Sequence, residues 1–236
     1  YNTVTSGNNY SMSFDGNDDY VDFGDNADFD FGVTNFTISL WLYRNESITP
    51  EGNFMIGKWN TGASPGTNEW LFHHNNIAGV DVLSFRIQSG NNDYIVESVY
   101  QANLFEWSFI TVKRNSDSLY LFAEGVLLSS QYIGNINVNN VGRELQLSKI
   151  YGNGSSNNLL FTNNFSDNIQ IWNTALTQTE IQSYMNCPPT GNESGLVGYW
   201  NFETGSGTTA YDQTVNGNDG TINGATYDTN VPSQSC

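Results

Sequence analysis

Between Ser13 and Asp25 the chain reads SFDGNDDYVDFGD, which places five carboxylates in thirteen residues. Carboxylates at that density are the hard oxygen donors that calcium takes six to eight at a time. They are also poor strand formers that repel one another across a sheet, so a strand that carries them needs a cation, a ligand or water as compensation. An EF-hand loop is excluded, because no DxDxDG register with a glutamate at position twelve runs through 15–32. Without an ion, Asp18, Asp19, Asp22, Asp25, Asp28 and Asp30 would serve to keep an edge strand soluble and unpaired.

A second group has the residue types that hold sugars. Aromatic rings stack on the apolar faces of pyranose rings, while amides, carboxylates and guanidinium groups bond the hydroxyls. Trp59 and Trp70 flank the small, polar stretch 60–69 and are expected to reach solvent. Along EWLFHH (69–74), Trp70, Phe72 and His74 alternate with Leu71 and His73; along VLSFRIQ (82–88), Ser84, Arg86 and Gln88 alternate with Leu83, Phe85 and Ile87. The polar set marks an outward sheet face. Tyr94, after the turn 89–93, and Tyr151, before the glycine-rich 152–158, extend it at the loops. The ligand-binding expectation is therefore Trp59, Trp70, His74, Arg86, Gln88, Tyr94 and Tyr151, with Trp41, Trp107 and Trp200 packed inside.

Catalysis finds less support. A glycoside hydrolase needs two carboxylates about 5–10 Å apart, and none of the ten glutamates has an aspartate two places on and a glutamate five places on. His73 and His74 are adjacent, so on a strand they point to opposite faces, and neither has a serine or cysteine nucleophile in a recognisable elbow. No catalytic residue is assigned.

These residues must be positioned by strands. Runs such as YSMSF (10–14), DYVDF (19–23), FTISLWLY (36–43), WSFITVKR (107–114), DNIQIW (167–172), LVGYWNFE (196–203) and GTINGATY (220–227) are separated by Gly, Asn, Asp and Ser. Their number exceeds one sheet, and two stacked antiparallel sheets are expected. One helix is predicted near 177–186: Thr177 with Glu180 makes a capping box, Ile181, Tyr184 and Met185 repeat at helical spacing, and Pro188-Pro189 stops it.

The 236 residues carry 24 acidic and 7 basic side chains, a formal charge of -17, which disfavours binding to nucleic acid phosphates. Sulfated and uronic-acid polymers meet the same repulsion unless a cation or an Arg and Lys cluster offsets it. No run of eighteen apolar residues suggests a membrane span. Cys187 and Cys236 are the only cysteines; a bond between them would close a loop of about fifty residues and imply an oxidising compartment.

SMSFDGNDDYVDFGD, then FTISLWLY, then WSFITVKRNSDSLYLFAEGVLL, then DNIQIWNTALTQTEIQSYMN, taken in this order, resemble the laminin-G-like jelly roll of the concanavalin A-like lectin and glucanase superfamily. The resemblance covers nearly the whole chain and implies a single domain over 1–236. One segment departs from it: GLVGYWNFETGSGTTAYDQTVNGNDGTINGA resembles what usually opens such a domain yet lies at the C-terminus. It is expected to act as a permuted or closing strand segment, 195–236, tied by Cys187 and Cys236, with the opening of a second repeat as the alternative.

The resemblance also implies a structural calcium ion where the FDG turn meets the last strand, at Asp15 and Asp167, with Asp212 as a third ligand. It points to a non-catalytic, secreted or cell-surface module of bacterial type that binds an extracellular polysaccharide beside other domains of a parent protein. The alternatives are a protein-binding adhesion module and, last, a hydrolase or lyase of unrecognised type.

Overall fold

Residues 9–46, 52–59, 68–138, 142–151 and 159–236 are described in a computed structural model. The strands run β1 (Ser11–Asp15), β2 (Tyr20–Asp22), β3 (Phe36–Arg44), β4 (Asn53–Lys58), β5 (Asn68–Ile77) and β6 (Val80–Ser89). They continue with β7 (Asn92–Val99), β8 (Trp107–Asn115), β9 (Ser118–Ala123), β10 (Val126–Tyr132), β11 (Gln146–Leu147) and β12 (Lys149–Tyr151). The last are β13 (Leu159–Phe161), β14 (Asn163–Trp172), β15 (Leu196–Trp200), β16 (Thr209–Ala210), β17 (Gly220–Asn223) and β18 (Thr226–Asp228). One helix, α1 (Gln178–Asn186), lies between β14 and β15.

Two eight-stranded antiparallel sheets face each other. Sheet A has the order β10-β9-β8-β3-β14-β1-β18, with β15 also on β14, and sheet B the order β16-β17-β2-β11-β4-β5-β6-β7. The alternation in β3 divides its side chains: Phe36, Ile38, Leu40 and Leu42 enter the core between the sheets, which they share with Phe72, Phe85 and Ile56 from sheet B. Trp41 points the other way and is covered by α1 and the residues leading into it, where Ile181 and Leu176 pack with Trp41, Phe109 and Trp172 on the outer face of sheet A.

The helix forms for the predicted reasons. Thr177 accepts from the Glu180 N–H while the Glu180 carboxylate accepts from the Thr177 N–H, which satisfies two donors that the first turn would otherwise leave unpaired. The Glu124-Gly125 turn between β9 and β10 holds α1 in place. Both residues have positive φ, 50° and 66°, and the Gly125 carbonyl accepts from the side-chain amides of Gln178 and Gln182. A Cβ at Gly125 would lie 2.6 Å from Gln182 Cγ, so glycine is required there.

Strand β14 has two successive partners along one side, β1 over its first half and β15 over its second, while β3 spans the other side. The changeover coincides with a bulge between Asp167 and Gln170, where Asn168 has φ 47°. Residues 195–236 supply strands to both sheets: β15 pairs β14, β17 pairs β2, and β18 pairs β1. The same segment fills the core, with Trp200 fully buried 4.3 Å from Phe23 and bonded through its indole N–H to the Asn218 carbonyl. Strand β2 therefore lies inside sheet B rather than at its edge, and the expected solubilising role of its acids gives way to specific contacts. Asp25 and Asp30 both bond the buried Lys58 ammonium, and Asp28 accepts from Asn218.

Two other buried cations, Arg114 and Arg44, and the half-buried Lys113 also organise the sandwich. Arg114 donates to the carbonyls of Ser116, Gly32, Ile136 and Gly134, Arg44 donates to the Ala102 carbonyl and pairs with Asp81, and Lys113 donates to the Leu176 carbonyl.

Cys187 and Cys236 form a disulfide, with Cα atoms 5.0 Å apart, at the C-cap of α1. The tail before Cys236 lies along the helix end, where Gln234 donates to the Met185 carbonyl and accepts from the Asn168 amide at the bulge. Cys187→Ser with Cys236→Ser is expected to lower the unfolding free energy by about 2–4 kcal/mol, measured by urea denaturation; an unchanged midpoint would show that the cross-link constrains nothing.

Candidate functional site: a cleft on the outer face of sheet B

Strand register determines which residues share the outer face of sheet B. One row crosses it: Thr221, Asp22, Gln146, Gly57, Leu71, Arg86 and Ile95. Their chain neighbours Val21, Leu147, Ile56, Phe72, Phe85 and Val96 point into the core. The hairpin β12–β13 lies across the middle of this face, packing Ile150 and Leu160 on Phe54, Trp59 and Leu71. Two polar surfaces remain, one on each side of it.

The first is a cleft of about 390 Å³ bordered by Tyr20, Asp22, Phe23, Gly24, Asp219, Thr221 and Asn223. It exists because β2 and β17 are neighbours, with Asp22 opposite Thr221 and Tyr20 opposite Asn223. Gly220 permits this close pairing, since a Cβ there would fall 2.6 Å from the Phe23 ring. Asp22 is held by the Gly24 N–H and the Gln146 amide. The Lys149 ammonium lies 3.7 Å from the Tyr20 ring centroid, a cation–π contact that fixes the ring. Burial, with the Asp22 and Tyr151 charges, raises the Tyr20 pKa, so its hydroxyl is a donor throughout the physiological range. The cleft thus offers one oriented aromatic ring, two carboxylates, an amide and a hydroxyl on paired strands.

The second surface carries Arg86. Its guanidinium stacks 5.0 Å from the Trp59 ring and is bidentate to Asp93. Gln88 lies beside it, between Glu69 and Asp93 in the register, and Arg143 reaches Glu69. His73 stacks on Phe54 and is nearly buried; desolvation, with the Arg86 charge, depresses its pKa to about 4.

The sequence-derived set is therefore divided. Trp59, Arg86 and Gln88 share the outer face, and Tyr151 stands on the hairpin 5.1 Å from the Lys149 ammonium. Trp59, however, is only 5% exposed, roofed by the hairpin and by Arg86. Trp70 and His74 are corrections. Both are fully buried on the core face, because Trp70 stands opposite Ile87 and His74 opposite Leu83. Tyr94 also turns inward, opposite Ile87, and packs on the core. Tyr20, Asp22, Asp219, Thr221 and Asn223 were not expected as a site. The alternation of Tyr20 and Asp22 about Val21 was a usable signal, but their partners lie some two hundred residues away and only the pairing of β17 with β2 reveals them.

The three expected calcium ligands do not converge. Asp15 stands opposite Asn163 while Ser166 stands opposite Met12, so Asp167 lies about 13 Å along the strand pair from Asp15. Asp167 is fully buried at the bulge, accepting from the Asn168 N–H. Asp212 accepts four hydrogen bonds, from the N–H groups of Tyr199, Thr214 and Asn218 and from the Thr214 hydroxyl, which occupies the lone pairs of a carboxylate. Asp15 instead gathers with Asp18 and Asp19, ligand oxygens within 4.8 Å of one another. Burial and the charges of Asp15 and Asp18 raise the Asp19 pKa. Such crowding fits a hard divalent cation, which would relieve the repulsion. The turn at Gly224 closes against this cluster, and a Cβ there would collide with the Asp19 carboxylate.

Two antiparallel sheets packed face to face, with one short helix on the outer face of one of them, define a jelly roll of the concanavalin A-like type. The chain belongs to the concanavalin A-like lectin/glucanases superfamily, whose laminin G profile matches residues 15–182. Among solved structures, a Bacteroides ovatus protein provisionally assigned as carbohydrate binding is similar at 16% identity and TM-score 0.68; the match covers 94% of this chain and 60% of that one. A serum amyloid P-like pentraxin from Limulus polyphemus matches at 13% identity and TM-score 0.57, over 78% of this chain and 87% of that one. The binding domain of Paraclostridial Mosquitocidal Protein 1 matches at 17% identity and TM-score 0.51, over 69% and 39%. A search of curated proteins finds no match. The chain spans 60% of the length of the Bacteroides ovatus structure.

Proposed function

We propose that this chain is a non-catalytic carbohydrate-binding module, and that sugar binds in the cleft bordered by Tyr20, Asp22, Thr221 and Asn223. The observation that carries the reading is the cleft itself: an aromatic ring fixed by Lys149 beside carboxylate, amide and hydroxyl groups on paired strands, the combination that sugar recognition requires. The similarity to the Bacteroides ovatus protein supports it. The disulfide supports an extracellular setting, and residues 195–236, which pair with both sheets, complete the domain. In a longer protein the module would hold neighbouring domains on a polysaccharide.

Tyr20→Ala is expected to weaken binding to a cognate oligosaccharide at least about ten-fold, roughly 1.4 kcal/mol, while the unfolding midpoint stays close to wild type. Isothermal titration against a glycan panel checks this; equal affinity in the variant removes the cleft as the site. Release of reducing ends from any panel member would contradict the non-catalytic reading.

Asp15, Asp18 and Asp19 are proposed as calcium ligands that brace the turn beside the cleft. Calcium at about a hundred-fold excess over its Kd is expected to add about 2.7 kcal/mol of stability. The gain should be reversed by EDTA and absent in Asp19→Asn; a melting temperature indifferent to both removes the ion.

A protein-binding role is favoured by a different surface. Strand β10 is an edge strand without a charged residue, and Val126, Leu127 and Tyr132 on it are exposed. Binding of a cell-surface protein that survives loss of Tyr20 would support that reading instead.

A further inference from the structure

We infer that the glycan taken by the cleft is uncharged, and that uronic-acid and sulfated chains are turned away by the protein's own field; this rests on the sugar-binding reading above. Guanidinium and ammonium groups are the side chains that recognise a carboxylate or sulfate, and all seven of this chain's are committed within the fold. Arg44, Lys58 and Arg114 are buried, at 2%, 0% and 0% exposure. Lys149 is 6% exposed and lies against the Tyr20 ring. Lys113 is bonded to the Leu176 carbonyl and lies near the rings of Tyr120 and Phe122. Arg86 and Arg143 are the most open, and each already holds a carboxylate, Asp93 and Glu69. Residues 1–8, 47–51, 60–67, 139–141 and 152–158 contain no lysine or arginine, so these seven side chains are the whole set.

The anionic excess therefore faces solvent. Among the described residues five ion pairs absorb carboxylates inside or along the sheets, and the chain carries a net -17. Within the cleft, Asp22 and Asp219 are the charged lining groups. A glycan carboxylate placed among them would lie well inside the Debye length of about 8 Å, where salt does not remove the repulsion. Sugar hydroxyls meet the opposite situation: carboxylate oxygens accept from them, and Asn223 and Thr221 can both donate and accept.

The test is isothermal titration of the full chain in excess EDTA, and again in calcium. One arm uses neutral polymers (arabinan, xylan, mannan and a mixed-linkage glucan) and the other anionic ones (polygalacturonate, alginate and chondroitin sulfate). The expected result is binding to at least one neutral polymer, unchanged between about 20 mM and about 500 mM salt, with every anionic polymer at least about ten-fold weaker in both buffers. Tighter binding of an anionic polymer, with or without calcium, overturns this inference and leaves the sugar-binding reading standing. No binding to any polymer in either arm overturns both.

Discussion

Trp70→Ala is expected to cost about 3–5 kcal/mol of folding stability while leaving the sugar affinity of the molecules that remain folded unchanged. Trp70 is fully buried and packs 5.7 Å from Phe31 and 5.8 Å from Phe85 in the core between the sheets. Removing the indole opens a cavity that paired strands cannot close by local adjustment. Its Nε1 has no hydrogen-bond partner among the described residues, so Trp70→Phe should cost much less than the alanine variant. Urea denaturation of both, with titration of the alanine variant under folding conditions, separates the two roles. A stable alanine variant that binds sugar weakly would return Trp70 to the ligand site.

Acid is expected to unfold the protein from an unusually high pH, with His74 as a main cause. Burial, with the Arg44 and His73 charges, depresses the His74 pKa from 6.5 to about 3, and His73 lies at about 4. In the unfolded chain both titrate near 6.5, so below that pH the unfolded state binds protons that the folded state refuses. Stability is thus fully present above about pH 6.5 and is lost as pH falls toward 4. Each histidine contributes a slope of about 1.4 kcal/mol per pH unit over that window. His74→Leu should roughly halve the combined slope, and since neither ring nitrogen of His74 has a hydrogen-bond partner among the described residues, none of those bonds is lost. Unfolding free energies measured between pH 7 and pH 4 decide it: equal slopes in wild type and variant would mean that His74 is already protonated in the folded protein.

The sandwich was readable because its signals are local. The short apolar runs bounded by Gly, Asn, Asp and Ser and the capping box of α1 each depend on neighbours within a few positions. The site was not readable, because facing in a sheet is set by partners distant in sequence. The alternation in β5 and β6 correctly put Arg86 and Gln88 outside. It could not show that Trp70, which stands opposite Ile87, shares the inward face. A one-residue difference in register exchanges every inward for every outward side chain, and polar His74 on the core face made the wrong assignment look consistent. The acids were misread for a related reason. Asp15 and Asp167 do lie on hydrogen-bonded strands, but their separation along those strands is fixed by the register of β1 on β14, which no spacing in the chain encodes.

The pairing of β1 with β18 has an architectural consequence. Ser11 and Asp228 are direct cross-strand partners, about 5 Å apart at their Cα atoms. Cys236 anchors the chain after β18 to the C-cap of α1, so a force applied at Cys236 would load that cross-link before it could peel β18 from β1.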